Sequence, residues 1–345
     1  MKVDSCRVLL ARLKERVEHV DADEMAWETR VMLAYNIYMI TDQSRFQWKP
    51  VNITTVQERL EAVEKYIDDH PIGVCARELP PSSSAGPLER TARLYGLAFE
   101  VFDRNSYIAA SEIFGRRLIA NNVDLECFQG AECIDLGCGK GRNLLAMAQL
   151  GAKSVVGIDH SDENIRNAER FLQEFPQYSN IRLIRTSIYD LPVDQLGCFD
   201  FVSSQGVLHH LEFPQKGLEV FSRVLRPGGN GFIYVFGDGG DGIFWDFIDL
   251  IRSILRPVPV AFTRDFLKGF CLPVGKIYQV LDFGYVPFQH RFNRSIFEDM
   301  MANAGLRIVK SLDRGEVYDQ TQRALLYETD RTLFGEYELR YWVSR

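Results

Sequence analysis

The sequence has no CxxC pair, no run of the roughly 20 apolar residues that a membrane span requires, and no excess of basic charge. Each absence removes a class of protein. The seven cysteines, Cys6, Cys75, Cys127, Cys133, Cys138, Cys198 and Cys271, are scattered and odd in number. That distribution fits neither a zinc site nor a disulfide framework, and reads as reduced thiols in a cytoplasmic protein. Met1 to Arg16 mixes charged with apolar residues and lacks the apolar core of a secretory signal. No transmembrane segment is expected. The formal net charge of −7 argues against nucleic acid as the main partner, because phosphate binding calls for a basic face. What is present is a balance of 46% hydrophobic and 25% charged residues, enough for a sizeable buried core. A chain of 345 residues suits one elaborated domain, or a core with an extra lobe.

Three compositional regimes follow one another. Residues 1 to about 80 have helical spacing, with Val8, Leu9, Leu10, Leu13, Val17 and Val20 as one apolar stripe. Thr55 and Glu58 form a capping-box pattern for a helix through Ile67. Pro80 to Pro87, with three serines and a glycine, reads as a linker. From Leu88 to Phe236 short apolar runs alternate with helical segments. Ala131–Asp135, Ser154–Asp159, Ile181–Arg185, Phe199–Ser203 and Gly231–Phe236 are the expected strands. Such alternation specifies an α/β, doubly wound parallel sheet, and Tyr337–Ser344 fits a last strand entering it antiparallel. The division predicted is 1–87 as an N-terminal helical lobe with linker, 88–236 as the core, 237–293 as an insertion, and 294–345 as the helix and strands that complete the core.

The chemistry concentrates at Asp135-Leu136-Gly137-Cys138-Gly139-Lys140-Gly141, a strand running into a glycine turn and a helix start. Glycines let the backbone turn tightly and approach a ligand, and the helix N-terminus adds free N–H groups. The third glycine comes one residue too early for a dinucleotide fingerprint, and Asp135 would repel a pyrophosphate. It suits a cationic ligand. Asp159 closes the next apolar run, where a carboxylate can accept both hydroxyls of a ribose. Ser161 then caps the following helix, with Asp162 and Glu163 in its first turn.

These residues resemble the class I S-adenosylmethionine-dependent methyltransferases, and further matches follow in order. Arg185 to Pro192 is similar to the family's adenine-holding segment, with Ser187 where an aspartate often stands. Phe199 to Leu211 resembles its fourth strand and active-site loop, and Leu225-Arg226-Pro227-Gly228-Gly229 its turn before strand five. The resemblance implies a seven-stranded, mostly parallel, Rossmann-like sheet and an enzyme that takes S-adenosyl-L-methionine and releases S-adenosyl-L-homocysteine. It implies a cofactor set of Asp135, Gly137, Cys138, Gly139, Gly141, Asp159, His160, Ser187, Ile188, Gln205 and Tyr107. Tyr107 enters with Tyr95 and Arg104, as a residue of a helix that closes over the cofactor in related enzymes. No metal is expected.

His209 and His210 stand at the mouth of the fourth strand, and either is a candidate general base for acceptors that must lose a proton; packing or loop fixing is the competing role. The loop Ser204-Gln205-Gly206-Val207 is unlike the Asn/Asp-Pro-Pro-Tyr of amino-methylating nucleic-acid enzymes, which favours a small-molecule acceptor. Segment 237–293 opens with an acidic glycine turn, continues in the apolar helix Ile243–Leu255, and is then rich in aromatics. In related enzymes an insertion here covers the acceptor pocket. Asp238, Asp241, Trp245, His290 and Arg291 are the acceptor candidates, and the aromatics suggest a partly aromatic or apolar metabolite. A structural cap, a homodimer surface or a membrane-touching helix are the competing readings of the segment. Competing functions are a protein or RNA methyltransferase docking through residues 1–87, with Arg90, Arg93, Arg104, Arg116 and Arg117 as its basic patch, and an inactive cofactor-binding accessory subunit.

Overall fold

In a computed structural model of the chain, five apolar runs form the parallel part of one seven-stranded sheet. Residues 2–19, 26–42, 50, 52–69, 87–315 and 327–345 are described, so the linker at 80–86 and Cys75 lie outside them. The strands are β1 (Glu132–Leu136), β2 (Ser154–Asp159), β3 (Ile181–Arg185), β4 (Phe199–Gln205), β5 (Leu225–Phe236), β6 (Arg307–Ser311) and β7 (Glu338–Ser344). They lie in the order β3-β2-β1-β4-β5-β7-β6, with β1 to β5 parallel and β7 antiparallel to both neighbours. Successive side chains of a strand point to opposite faces, and here both faces are apolar. Cys133, Val155, Phe201 and Trp342 join one core cluster, while Ile134, Val156, Val202 and Tyr341 join the other. A sheet buried on both faces needs helices on both. Strand five starts earlier than its apolar run: Leu225 pairs with Phe199, and a register shift accommodates the Pro227–Gly229 turn inside the strand. Strand order reverses between β1 and β4. Ligands of open α/β sheets bind outside the carboxyl ends at that point.

By its contacts the chain forms two compact units, Met1–Ala85 with Gly239–Pro287 and Val317–Tyr337, and Gly86–Asp238 with Phe288–Glu316 and Glu338–Arg345. The first unit joins the N-terminal helices to the insertion, which the sequence pattern treats separately. Its centre is the helix Phe244–Leu255, with Phe244, Trp245, Phe247, Ile248, Leu250, Ile251, Ile254 and Leu255 all buried. A helix so nearly apolar all round needs cover on several sides. It packs against the helices Lys2–His19, Trp27–Asp42 and Val274–Tyr285, and this consumes the apolar face that could have met a membrane. Its thin polar stripe finds partners as well, since Ser253 Oγ donates to Glu18 Oε1 at 2.9 Å and Asp246 lies 3.5 Å from Arg7. No helix among the described residues is long and apolar enough to cross a membrane.

One local expectation changes. The helix Ile53–Asp69 starts two residues before Thr55, and Asn52 Oδ1 accepts the Thr54 N–H at 3.0 Å. Asn is an equally good capping residue and comes first, so Thr55 is not the cap. The acidic glycine turn at 237–242 is pinned in its second half. The Gly242 and Glu336 N–H groups both donate to the Gly239 carbonyl, at 2.9 and 3.3 Å. A Cβ on Gly335 would lie 1.8 Å from that oxygen, at a φ of +58°. Gly335→Ala should therefore lower stability by about 2 kcal/mol or more. Gly240→Ala, at φ +52° with nothing within 4 Å, should cost about 1 kcal/mol. Thermal melts of the two variants check the ranking, and equal losses would contradict the close crossing.

Candidate functional site

Beyond β1 the chain turns through Gly137, Gly139 and Gly141, at φ of +85°, +53° and +82°, into the helix Arg142–Gln149, which carries no side-chain cap. The Gly137 and Cys138 N–H groups donate to the Ile158 carbonyl at 2.9 and 2.8 Å, which ties the turn to β2. Asp159 completes the tie. Its Oδ2 accepts the Gly139 N–H at 3.0 Å, and its Oδ1 accepts the Ser161 N–H at 2.9 Å and Asn164 Nδ2 at 3.3 Å. Three of its roughly four acceptor positions are thus engaged. His160 Nδ1 lies 3.7 Å from Asp159 Oδ1, and its Nε2 is buried without a hydrogen-bond partner among the described residues.

Asp135 is fully buried, at the end of β1 beside the topological switch point. Asn143 Nδ2 lies 3.5 Å from its Oδ2, while Oδ1 has no partner among the described residues. Burial pushes its carboxyl up to about 6. A buried acceptor with nothing to accept from suits a ligand ammonium. Lys140 adds a second buried group. Its ammonium lies over the rings of Phe99, Phe102 and Tyr107, has no hydrogen-bond partner among the described residues, and is pushed by burial down to about 5.

The remaining predicted cofactor residues have specific local roles. The Cys138 thiol is buried and pushed well above its ordinary value by desolvation, and its Sγ lies 3.0 Å from where a Cβ on Gly157 would sit. Tyr107 is not a lid residue: its ring is fully buried, stacks on Phe171 at 4.4 Å, and donates its hydroxyl to the Lys140 carbonyl at 3.0 Å. It pins the turn from below. Arg104 pairs with Glu174 at 3.0 Å. Ser187 Oγ caps the short turn Ile188–Asp190 by accepting the Tyr189 N–H at 3.2 Å, and Ile188 belongs to the core. Gln205, at the end of β4, donates to Ser203 Oγ at 3.1 Å.

The two histidines differ. His209 is almost fully buried, stacks on Phe236, and accepts the Phe236 N–H on Nδ1 at 3.2 Å. Its proton therefore sits on Nε2, and desolvation drives its pKa well below the ordinary value. It is a neutral ring with its lone pair in use, which argues against a role as base. His210 Nδ1 lies 3.1 Å from the Phe288 carbonyl and Nε2 2.9 Å from Tyr95 Oη. His290 holds the same loop, its N–H donating to the His209 carbonyl at 2.7 Å and its Nε2 lying 3.0 Å from the Leu211 carbonyl. Of the other acceptor candidates, Asp238 is exposed and accepts Asn293 Nδ2 at 3.2 Å, and Arg291 is half-buried. Asp241 and Trp245 belong to the first unit. There Asp241 is exposed, whereas Trp245 is core, packed on Phe244, Phe283 and Tyr337. No group of His, Cys, Asp and Glu that could hold a metal occurs among the described residues.

Asn143, Lys140 and Phe99 were not singled out by the sequence. The first two lie inside the quoted turn and helix start, and Phe99 falls one helical turn after Tyr95. Asp135 allows a direct test. When folded it holds its proton up to about pH 6, against about pH 4 when unfolded. Between those values the folded state binds more protons, so stability falls as pH rises through the window. Asp135→Asn should flatten that slope and raise the neutral-pH melting point by a few degrees, reflecting at most about 3 kcal/mol. An unchanged slope in melts across the window would show that this carboxyl is not the group responsible.

Residues 134–233 match the family described as "Methyltransferase domain". The chain is 30% identical over 162 residues to a mitochondrial ubiquinone biosynthesis O-methyltransferase of Dictyostelium discoideum, covering 44% of this chain and 48% of that one. It is 37% identical over 105 residues to a tRNA U34 carboxymethyltransferase of Pseudoalteromonas translucida, covering 30% and 32%. Among solved structures, an S-adenosylmethionine-dependent methyltransferase of Mesorhizobium loti aligns with a TM-score of 0.41 at 17% identity, covering 63% of this chain and 92% of that one. The chain spans about half, or less, of the length of these curated relatives. Residues 134–233 are thus similar to a methyltransferase domain, and they lie on a seven-stranded sheet of the order β3-β2-β1-β4-β5-β7-β6.

Proposed function

We propose that the protein transfers the methyl group of S-adenosyl-L-methionine to an oxygen, nitrogen or carbon atom of a small, partly aromatic or apolar metabolite. The observation that carries the reading is the buried, unpartnered Oδ1 of Asp135 at the switch point. It would receive the amino group of the cofactor, with the Gly137–Gly141 turn against the methionine portion and Asp159 on the ribose. Ile188 and the Ser187 backbone border the adenine side, since Ser187 Oγ is already used as a cap. The bound cofactor supplies an electrophilic methyl group. The protein's contribution is to hold the acceptor in line with it and to exclude water. Of the two candidate bases we assign the role to His210, because the lone pair of His209 is taken up by the Phe236 N–H.

The RNA reading draws on the tRNA U34 carboxymethyltransferase likeness but not on the basic patch. Arg93 pairs with Glu89, Arg116 with Glu112 and Arg104 with Glu174, so three of its five arginines are locally neutralised. We place the reaction in the cytoplasm, where the free thiols of the described cysteines would stay reduced.

Calorimetric titration with S-adenosylmethionine is the test. Wild type should bind in the micromolar range and Asp159→Ala at least tenfold more weakly, since the variant loses both the ribose contact and the clamp on Gly139. Folded wild type that does not bind would sink the proposal. Binding with no transfer to any acceptor would instead point to an accessory subunit that only holds the cofactor.

A further inference from the structure

Two buried groups of opposite charge stand at the turn after β1 without pairing with each other. Asp135 is fully buried and Lys140 is 2% exposed. Asp135 Oδ1 has no hydrogen-bond partner among the described residues, and neither has Lys140 Nζ. A protonated amine brings three donors, and here none of them is used. The ring centroids of Phe99, Phe102 and Tyr107 lie 5.2, 2.7 and 5.7 Å from the nitrogen instead. Ring faces attract a cation but offer no lone pair, and burial still pushes the amine down to about 5. A methionine would fill the same space among the rings without that desolvation cost.

The two groups belong to one site. Lys140 sits between Gly139 and Gly141, at φ of +53° and +82°, and the Tyr107 hydroxyl donates to its carbonyl at 3.0 Å. Phe99 lies over the nitrogen and also reaches to 3.2 Å from where a Cβ on Gly139 would be. The amine is therefore on the side of the turn that Phe99 covers. Arg142, the first residue of the helix that follows, acts on both groups: its charge lowers the Asp135 carboxyl and opposes protonation of Lys140. The carboxyl and the amine thus lie within the electrostatic reach of one guanidinium. Satisfying both at once takes a ligand that carries an ammonium and a carboxylate together, as the α-carbon of an amino acid does.

We infer that Lys140 is the partner of the cofactor's carboxylate, so that the turn holds the cofactor by both charges of its amino-acid end. The inference rests on the methyltransferase reading above, and adds to the ammonium assigned to Asp135 a second contact of opposite sign. The carboxylate supplies the acceptor that the amine lacks, and a charge-assisted hydrogen bond in a desolvated site is stronger than one in water. The consequence is selectivity among ligands that share the nucleoside and the sulfur. One that ends in a bare amine satisfies Asp135 and leaves Lys140 buried without a partner. S-adenosyl-L-methionine and S-adenosyl-L-homocysteine satisfy both.

The test compares S-adenosyl-L-homocysteine with its decarboxylated counterpart, S-adenosyl-3-thiopropylamine, by calorimetry on wild type, Lys140→Met and Asp135→Asn. Wild type should prefer the carboxylated ligand by about tenfold or more, the size of one hydrogen bond to a charged group. Lys140→Met should bind the decarboxylated ligand as wild type does, which shows its turn intact, and should lose the preference. Asp135→Asn should weaken both ligands by the same factor, because both carry the amino group. A merely structural Lys140 would make its variant weaken both ligands alike. That result, a full preference retained in Lys140→Met, or a wild type that binds the two ligands equally overturns the Lys140 assignment alone. Wild type that binds neither ligand brings down the methyltransferase reading itself.

Discussion

Three segments approach the turn after β1 more closely than ordinary side chains on the turn would permit. Val207 from the loop after β4 packs where a Cβ on Gly137 would be, Phe99 from the helix Pro87–Phe99 over Gly139, and Ala168 from the helix Asp162–Leu172 over Gly141. All three glycines have positive φ, a conformation that L side chains adopt only at a cost. That constraint sets the rest of the site. It draws the β4 loop, and with it the histidine pair, toward the turn, and lets the aromatic helix rest on it. It also leaves the turn without a Cβ at three of its positions.

Around that backbone the charges are arranged with few partners. Asp159 is satisfied by three donors, whereas Asp135 and Lys140 are buried with polar atoms left over. Desolvation moves both toward neutrality, the carboxyl up to about 6 and the ammonium down to about 5. A site with such reserves gains more from a ligand that brings complementary charge than a solvated site would, because in a low dielectric an unpaired group is costly and a paired one strong. The amino-acid end of the cofactor carries both an ammonium and a carboxylate, and Asp135 is the acceptor assigned to the first.

How much of this the sequence discloses depends on the range of the interaction. The sheet core was legible, because alternation, strand length and the glycine turn are local patterns; β2 and β3 begin and end where the apolar runs do. The cap at Asn52 in place of Thr55 shows the limit of local reasoning where two good capping residues lie close together. The union of residues 1–85 with 239–287 was not legible. It follows from a helix, Phe244–Leu255, that no single neighbouring segment could cover, and nothing local in either stretch names the other. That Trp245 packs into a core was hidden for the same reason, since its partner Tyr337 lies more than ninety residues away.

The adjacent histidines make the point at the scale of one proton. By sequence His209 and His210 are interchangeable, because a one-residue offset in a loop fixes neither burial nor tautomer. In the fold they diverge through distant backbone groups. The Phe236 N–H at the end of β5 donates to His209, whereas the Phe288 carbonyl on the returning segment lies 3.1 Å from His210 Nδ1. A donor faces Nδ1 of one ring and an acceptor faces Nδ1 of the other, so His209 spends its Nδ1 lone pair on the end of β5, whereas His210 directs Nε2 to within 2.9 Å of Tyr95 Oη. The segment Phe288–Phe292 supplies that carbonyl and also follows β5, with the Phe292 N–H donating to the Phe236 carbonyl at 2.9 Å. The end of β5 and the segment that returns beside it thus separate the surroundings of the two rings. The chemistry of the loop is set by the strand end and the returning segment beside it, more than by the order of residues within the loop.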